Sequence, residues 1–175
     1  LFRQLGYSKL AEKYSIGLID LNNAEVELVE SPHYSKFSEV FYPKILKESF
    51  VISLPSLVLN EETTFIGALS NMLGAFPSSY YRGFFSRTKS KIRKWPMKYA
   101  VHDILKCKMP EFAVIDSSEK GFILAGIPKD LDKRAAKLLG LEWKNIDYLK
   151  LVEESFLEEQ IKEKTVETIP NVVNQ

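Results

Sequence analysis

Three short apolar runs constrain this chain more than any other feature. Ile16-Gly17-Leu18-Ile19-Asp20-Leu21, Phe50-Val51-Ile52-Ser53-Leu54 and Glu111-Phe112-Ala113-Val114-Ile115-Asp116 are each shorter than a typical helix, and each stops at a turn former or a carboxylate. Apolar runs of that length read as strands covered on both faces. Pro55 strengthens the second case, because a residue without an N–H and with a fixed φ suits a strand end.

Between these runs the apolar period changes to that of a helix. Residues 1–14 carry it, broken at Gly6, with Ser8 placed as a cap. Residues 63–73 carry it until Gly74, and residues 97–108 carry it behind Pro96, with Met97, Val101, Ile104 and Leu105 on one stripe. Two more helices follow, one from Pro128 through Leu139 with Asp130 as cap and Gly140 as stop, and one behind Asn145 with Ile146, Leu149, Val152 and Phe156 on one face. Val26-Glu27-Leu28-Val29 alternates as an exposed strand does, and 111–116 with 121–125 reads as a hairpin.

Helices alternating with covered strands predict an α/β fold: a largely parallel sheet with helices on both faces, in a Rossmann-like layered architecture. A helix feeding a buried strand at 16–21 is the second half of a βαβ unit, so the first strand is expected ahead of Leu1. The domain is expected to span 1–157 and to lack an upstream segment, with 158–175 as a polar, acidic tail.

With 45% apolar and 27% charged residues among 175, the chain has a core and is not a disordered protein. One cysteine, Cys107, and two histidines, His33 and His102, are too few for a cysteine-based zinc site, an iron–sulfur cluster or a histidine-rich metal centre, so neither metal nor cofactor is expected. No apolar run reaches the length of a membrane span, and the expectation is a soluble, cytoplasmic protein.

The net charge of +1 hides an uneven distribution. Residues 80–110 hold nine basic groups (Arg82, Arg87, Lys89, Lys91, Arg93, Lys94, Lys98, Lys106 and Lys108) against Asp103 alone. Tyr80, Tyr81, Phe84, Phe85, Trp95 and Tyr99 are interleaved with them. Cations for phosphates beside aromatic faces for unstacked bases is the combination that holds single-stranded nucleic acid. The same segment would also dock on an acidic protein surface, or be a solvated loop whose aromatic rings tuck into the core.

In a parallel sheet, ligands gather outside the carboxyl ends of the strands. Asp20, Pro55, Ser56 and Asp116 stand at such ends and are expected to share one rim. Their carboxylates suit a cation or acid–base chemistry, although aspartate in that position also accepts turn and cap hydrogen bonds. Gly121 and Gly126 have the spacing of a phosphate-binding loop, but Ile127-Pro128 stands where its lysine and hydroxyl residue belong. His102 is expected on the solvated face of its helix, away from Cys107, which reads as a small buried hydrophobe.

Three stretches taken in order, Leu5-Gly6-Tyr7 to Ile19-Asp20-Leu21-Asn22, Glu48-Ser49-Phe50-Val51-Ile52-Ser53-Leu54-Pro55 and Leu69-Ser70-Asn71-Met72-Leu73-Gly74, are similar to the family catalogued as domain of unknown function 362. Ala113-Val114-Ile115-Asp116, Ala125-Gly126-Ile127-Pro128 and Leu131-Asp132 with Leu138-Leu139-Gly140 resemble its closing strands and helix, so the likeness runs over about 1–154. The resemblance implies an upstream Lys-Pro-Asn element and, in some members, ferredoxin-like cysteine clusters; neither occurs in these residues. The family's Pro-Lys-Leu-Lys-Thr-His becomes Pro55-Ser56-Leu57-Val58-Leu59-Asn60, and its Leu-Lys-Asn becomes Leu69-Ser70-Asn71. Three lysines suited to anionic groups are thereby lost. What the resemblance implies is a small-ligand or redox-associated site in degenerate form, with Asp20, Pro55, Ser56, Ser70, Asn71, Asp116 and Asp132 as its remaining candidates. The alternatives are a nucleic-acid-binding module using Arg82, Arg87, Lys89, Lys91, Arg93, Lys94 and Lys98, and a non-catalytic scaffold or complex subunit.

Overall fold

Burial along 51–58 alternates strictly, with Val51, Ser53, Pro55 and Leu57 turned inward and Ile52, Leu54, Ser56 and Val58 outward. This alternation decides the architecture. The computed structural model describes residues 2–83 and 86–167, and the side chains of 82–91, 93 and 160–167 lie outside the described residues.

Helix α1 (Tyr7–Tyr14) opens the chain, and strands β1 (Val26–Glu30) and β2 (Glu39–Pro43) follow as an antiparallel pair. Helix α2 (Lys44–Glu48) leads into β3 (Ile52–Ser53), and β4 (Val58–Asn60) with β5 (Thr64–Ile66) makes a second antiparallel pair. A 3-10 helix (Ser70–Ala75) and helix α3 (Ser78–Tyr81) precede a third pair, β6 (Arg82–Gly83) and β7 (Ser86–Ser90). Helix α4 (Met97–Cys107), strands β8 (Phe112–Ser117) and β9 (Phe122–Gly126), and helices α5 (Pro128–Leu138) and α6 (Asp147–Glu167) complete the order.

The largely parallel, Rossmann-like sheet does not form. Among the described residues the largest sheet has three strands in the order β3-β8-β9, parallel only between β3 and β8, and every other ladder is antiparallel. The stretch 16–20 has no regular secondary structure and joins no ladder among the described residues, and β3 shrinks to two residues. The reason is burial: Ile16 and Leu54 are 56% and 69% exposed, so the apolar runs that read as covered on both faces are covered on one or on neither. Among the described residues α5 packs on one face of β8 and β9, while Ile52, Phe112 and Ile123 on the other face are exposed.

The 111–116 and 121–125 hairpin forms as read, with Ile115 opposite Leu124. Its turn closes through Gly121 at φ +83°, a conformation that glycine adopts without penalty. The helices at 97–108 and 128–139 form as read, and Gly140 ends α5 in the left-handed region. Residues 63–73 do not form a continuous helix: 64–66 pair with β4, because the Asn60 side chain accepts from Glu62, Thr63 and the Thr63 hydroxyl and so turns the chain back on itself.

The core centres on α4. Val101, Ile104 and Leu105 are wholly or almost wholly buried against β2, the 3-10 helix and α6, with Val40, Tyr42, Leu69 and Val152 around them. His102 is 1% exposed, which corrects its reading as a solvated residue. Helix α6 lies over that face and brings Ser155 to its ring.

Candidate functional site

The polar residues left at the motif positions fall into three places. Asp20 is exposed beside the unpaired stretch 16–20 and makes a local turn, accepting from the Asn22 amide and side chain at 3.0 Å and from Asn23 Nδ2 at 2.7 Å. The amide of Asn22 leads the contributions that hold its carboxyl below the ordinary range.

Pro55, Ser56 and Asp116 come together as expected. Ser56 bridges Asp116 in parallel register, the Leu57 amide donates to the Asp116 carbonyl at 2.7 Å, and the Asp116 amide donates to the Pro55 carbonyl at 2.9 Å. The Asp116 carboxylate accepts from the Ser118 amide, which leads in lowering its pKa. A pocket of about 140 Å³ opens here, lined by Ser56, Asp116, Ser117, Ser118, Glu119 and Lys120. The Ser117 hydroxyl is buried beside it with no hydrogen-bond partner.

Ser70, Asn71 and Asp132 form the third group. The Ser70 hydroxyl donates to the Phe65 carbonyl and accepts from the Gly67 amide, and Asn71 Nδ2 donates to the Ser53 hydroxyl at 3.1 Å. Asp132 is fully buried and accepts from the amides of Ala68 at 2.5 Å and Leu69 at 3.1 Å and from the Tyr148 hydroxyl at 3.0 Å. Burial pushes its carboxyl up to about 7 against the pull of those donors. These side chains hold the 67–71 turn against β3, α5 and α6.

A larger cleft of about 470 Å³ lies elsewhere, under the basic segment. Lys36, Phe37, Glu39, Phe41, Tyr80 and Trp95 are among the residues that line it. Phe41 and Tyr80 stack at 4.7 Å, and Tyr80 and Trp95 are each about 40% exposed. The Lys36 ammonium stands 5.2 Å from the Trp95 ring centre and 5.1 Å from that of Tyr99, and the Lys94 ammonium stands 5.4 Å from Trp95.

Lys36 and Phe37 owe their position to Asp103, whose buried carboxylate accepts from the amides of Ser35, Lys36 and Phe37 at 2.7, 2.9 and 3.0 Å. His102 Nδ1 lies 2.6 Å from the same carboxylate, and its Nε2 lies 2.9 Å from the Ser155 hydroxyl. Burial disfavours the Asp103 charge, but the hydrogen bonds from His102 and the three amides outweigh it and hold the carboxyl low.

Of the cations expected to bind nucleic acid, Lys94 lies at the cleft and Lys98 pairs with Asp147 at 3.2 Å. The side chains of Arg82, Arg87, Lys89, Lys91 and Arg93, and all of Phe84 and Phe85, lie outside the described residues. Lys106 is turned inward to Glu159 and the Phe156 ring, and Lys108 pairs with Glu111. Sequence reasoning missed Lys36, Phe37 and Phe41, which lie forty or more residues before Tyr81. The only signal for them was an aromatic and cationic stretch flanked by turn residues.

Among the described residues, no group of three His, Cys, Asp or Glu stands close enough to hold a metal ion, and no helix is long and apolar enough to cross a membrane. The family model described as domain of unknown function (DUF362) matches residues 1–131, three quarters of the chain, so the chain belongs to that family. The matched stretch ends one residue before Asp132. No curated protein and no solved structure matches the chain.

Proposed function

We propose that this member of the DUF362 family is a binding domain for single-stranded nucleic acid, which it takes in the cleft between Lys36, Tyr80 and Trp95. The observation that carries this reading is the pair of half-exposed rings, Tyr80 and Trp95, on a cleft with two lysine ammoniums beside one of them. A base stacked on Trp95 brings its phosphates within reach of Lys36 and Lys94, and such stacking contributes about 1–3 kcal/mol per base. Glu39 also lines the cleft, and its charge disfavours phosphates close to it. The composition of 80–110, nine basic residues against Asp103 alone, favours an anionic partner.

Fluorescence anisotropy of a labelled single-stranded oligonucleotide tests this. Affinity is expected to fall by about 0.7 log units per phosphate contact for each log unit of salt, and Trp95→Ala and Lys36→Glu each weaken it. Absence of binding at low salt, or binding that Trp95→Ala leaves untouched, contradicts the reading.

A second reading has its own observation, the partnerless Ser117 hydroxyl at the pocket beside Ser56, Asp116 and Lys120. A small polar ligand that accepts from Ser117 and pairs with Lys120 would satisfy both. Thermal shift against a metabolite panel separates the two: a hit that is lost in Ser117→Ala and Lys120→Ala favours the pocket, and equal responses in all three proteins exclude it.

A further inference from the structure

Strand β2 sends Val40 and Tyr42 into the core, both 0% exposed, so Glu39 and Phe41 point to the other face. They stand two residues apart on that outer face, about 6–7 Å along the strand. The Phe41 ring stacks on Tyr80 at 4.7 Å, and Glu39, Phe41, Tyr80 and Trp95 all line one cleft. The strand therefore sets an exposed carboxylate beside the rings.

That placement is unfavourable for the protein alone. Glu30 faces Glu39 directly across the β1–β2 ladder, and like charges at facing positions repel. Glu25 and Glu27 nearby pair with Lys44 and Lys47, whereas no cation among the described residues pairs with Glu39. Lys36 and Lys94 line the same cleft, and their ammoniums stand by the Trp95 ring. A carboxylate repels the phosphates that these lysines attract, so its use in the cleft lies elsewhere on a nucleotide, at hydrogen-bond donors on the base.

We infer that Glu39 selects guanine at the base that stacks in this cleft, an inference that rests on the nucleic-acid reading. A carboxylate only accepts hydrogen bonds, and its two oxygens suit two adjacent donors. On the Watson–Crick edge, which single-stranded bases leave open, guanine offers such a pair, N1–H and the 2-amino group. Adenine and cytosine set one amino donor beside a ring nitrogen lone pair, which faces the second oxygen unfavourably. Thymine and uracil set a single N–H between two carbonyls.

Fluorescence anisotropy of labelled strands tests it, using a short oligothymidylate and the same strand with one central deoxyguanosine, deoxyadenosine or deoxyinosine. The guanine strand is expected to bind about tenfold tighter than the adenine strand, as one bidentate base contact gives. The inosine strand, which lacks the 2-amino donor, falls between them. Glu39→Gln abolishes the preference and, with the repulsion removed, raises affinity for the all-thymine strand; damage to the fold would not produce that rise. Binding that Trp95→Ala abolishes but that is equal for the guanine and adenine strands overturns the selection and leaves the nucleic-acid reading standing. A guanine preference that survives Glu39→Gln also overturns it, and no binding of any strand at low salt overturns both.

Discussion

The Tyr148 hydroxyl donates to the buried carboxylate of Asp132 at 3.0 Å, and the other donors to that carboxylate are the amides of Ala68 and Leu69. One side chain of α5 thereby fastens α6 to the turn that follows β5. Asp132→Ala strands three buried donors, and leaving buried donors unsatisfied costs about 2–4 kcal/mol here. Thermal or urea denaturation will register it as a lowered midpoint, whereas a loss within error would show that the turn is held by other contacts.

The same carboxylate gives stability a pH dependence of unusual sign. Its folded value is raised by burial to about 7, above the 3.8 of an exposed aspartate. The folded state therefore holds the proton more tightly than the unfolded chain, and this contribution is full below about pH 4 and is lost as pH rises toward about 7. Asp132→Asn does not titrate. The stability gap between wild type and Asp132→Asn is expected to shift in the variant's favour across that window, and a gap that stays constant from pH 4 to 7 contradicts the assignment.

Gly67 is wedged against this group. A Cβ there would overlap the Asp132 carboxylate and the Phe65 ring, while one at Gly74 would meet nothing within 4 Å. Gly67→Ala is expected to destabilise by about 1–3 kcal/mol, the usual cost of overpacking, and Gly74→Ala to be close to neutral. Equal midpoints for the two variants would count against the packing of the turn on α5.

Asp103 links stability to the cleft, because its partners are the backbone amides that present Lys36 and Phe37. Its carboxyl is held below the ordinary 3.8, despite a desolvation penalty, by His102 and three amides. The contribution is present above that ordinary value and lost as pH falls through the lower folded one. Asp103→Ala is expected to open the 35–37 segment to protease at neutral pH and to weaken oligonucleotide binding without any change at Trp95. Retention of full affinity with a cleaved 35–37 segment would separate the loop from the binding surface.

Legibility in the sequence followed from how local each signal was. The hairpin at 112–126 and the helices behind Pro96 and Pro128 are set by near neighbours, and they were readable from periodicity, Gly121 and Gly140. The runs at 16–21 and 50–54 were not, because an apolar run has the same composition whether both faces are covered or one is bare. Burial of Val51 and Ser53 beside exposed Ile52 and Leu54 depends on what lies across the sheet. Pro55, Ser56 and Asp116 were correctly brought to one rim, since parallel register between β3 and β8 follows from strand ends. Asp20 stands apart from them because its strand never pairs. His102 shows the remaining limit: a polar residue on a helix reads as solvated until a distant element, here α6, is seen to cover it.

Cys107 provides the last test, and it addresses the packing between α4 and the β1–β2 hairpin. Its thiol lies 3.0 Å from the Tyr34 hydroxyl, which also donates to the Val29 carbonyl. Burial raises the thiol to about 11, the hydrogen bond to Tyr34 opposes the rise, and the Asp103 charge adds to it. At pH 8 about one thousandth of it is thiolate, against roughly a quarter for an exposed cysteine. Alkylation of the native protein is therefore expected to run about two orders of magnitude slower than in urea, where the residue regains its ordinary value and its access. The rate is expected to rise about tenfold per pH unit up to about pH 10, because only the thiolate reacts. Labelling at the urea rate in the folded protein would mean that Tyr34 does not cover Cys107 and that the hairpin is not seated on α4.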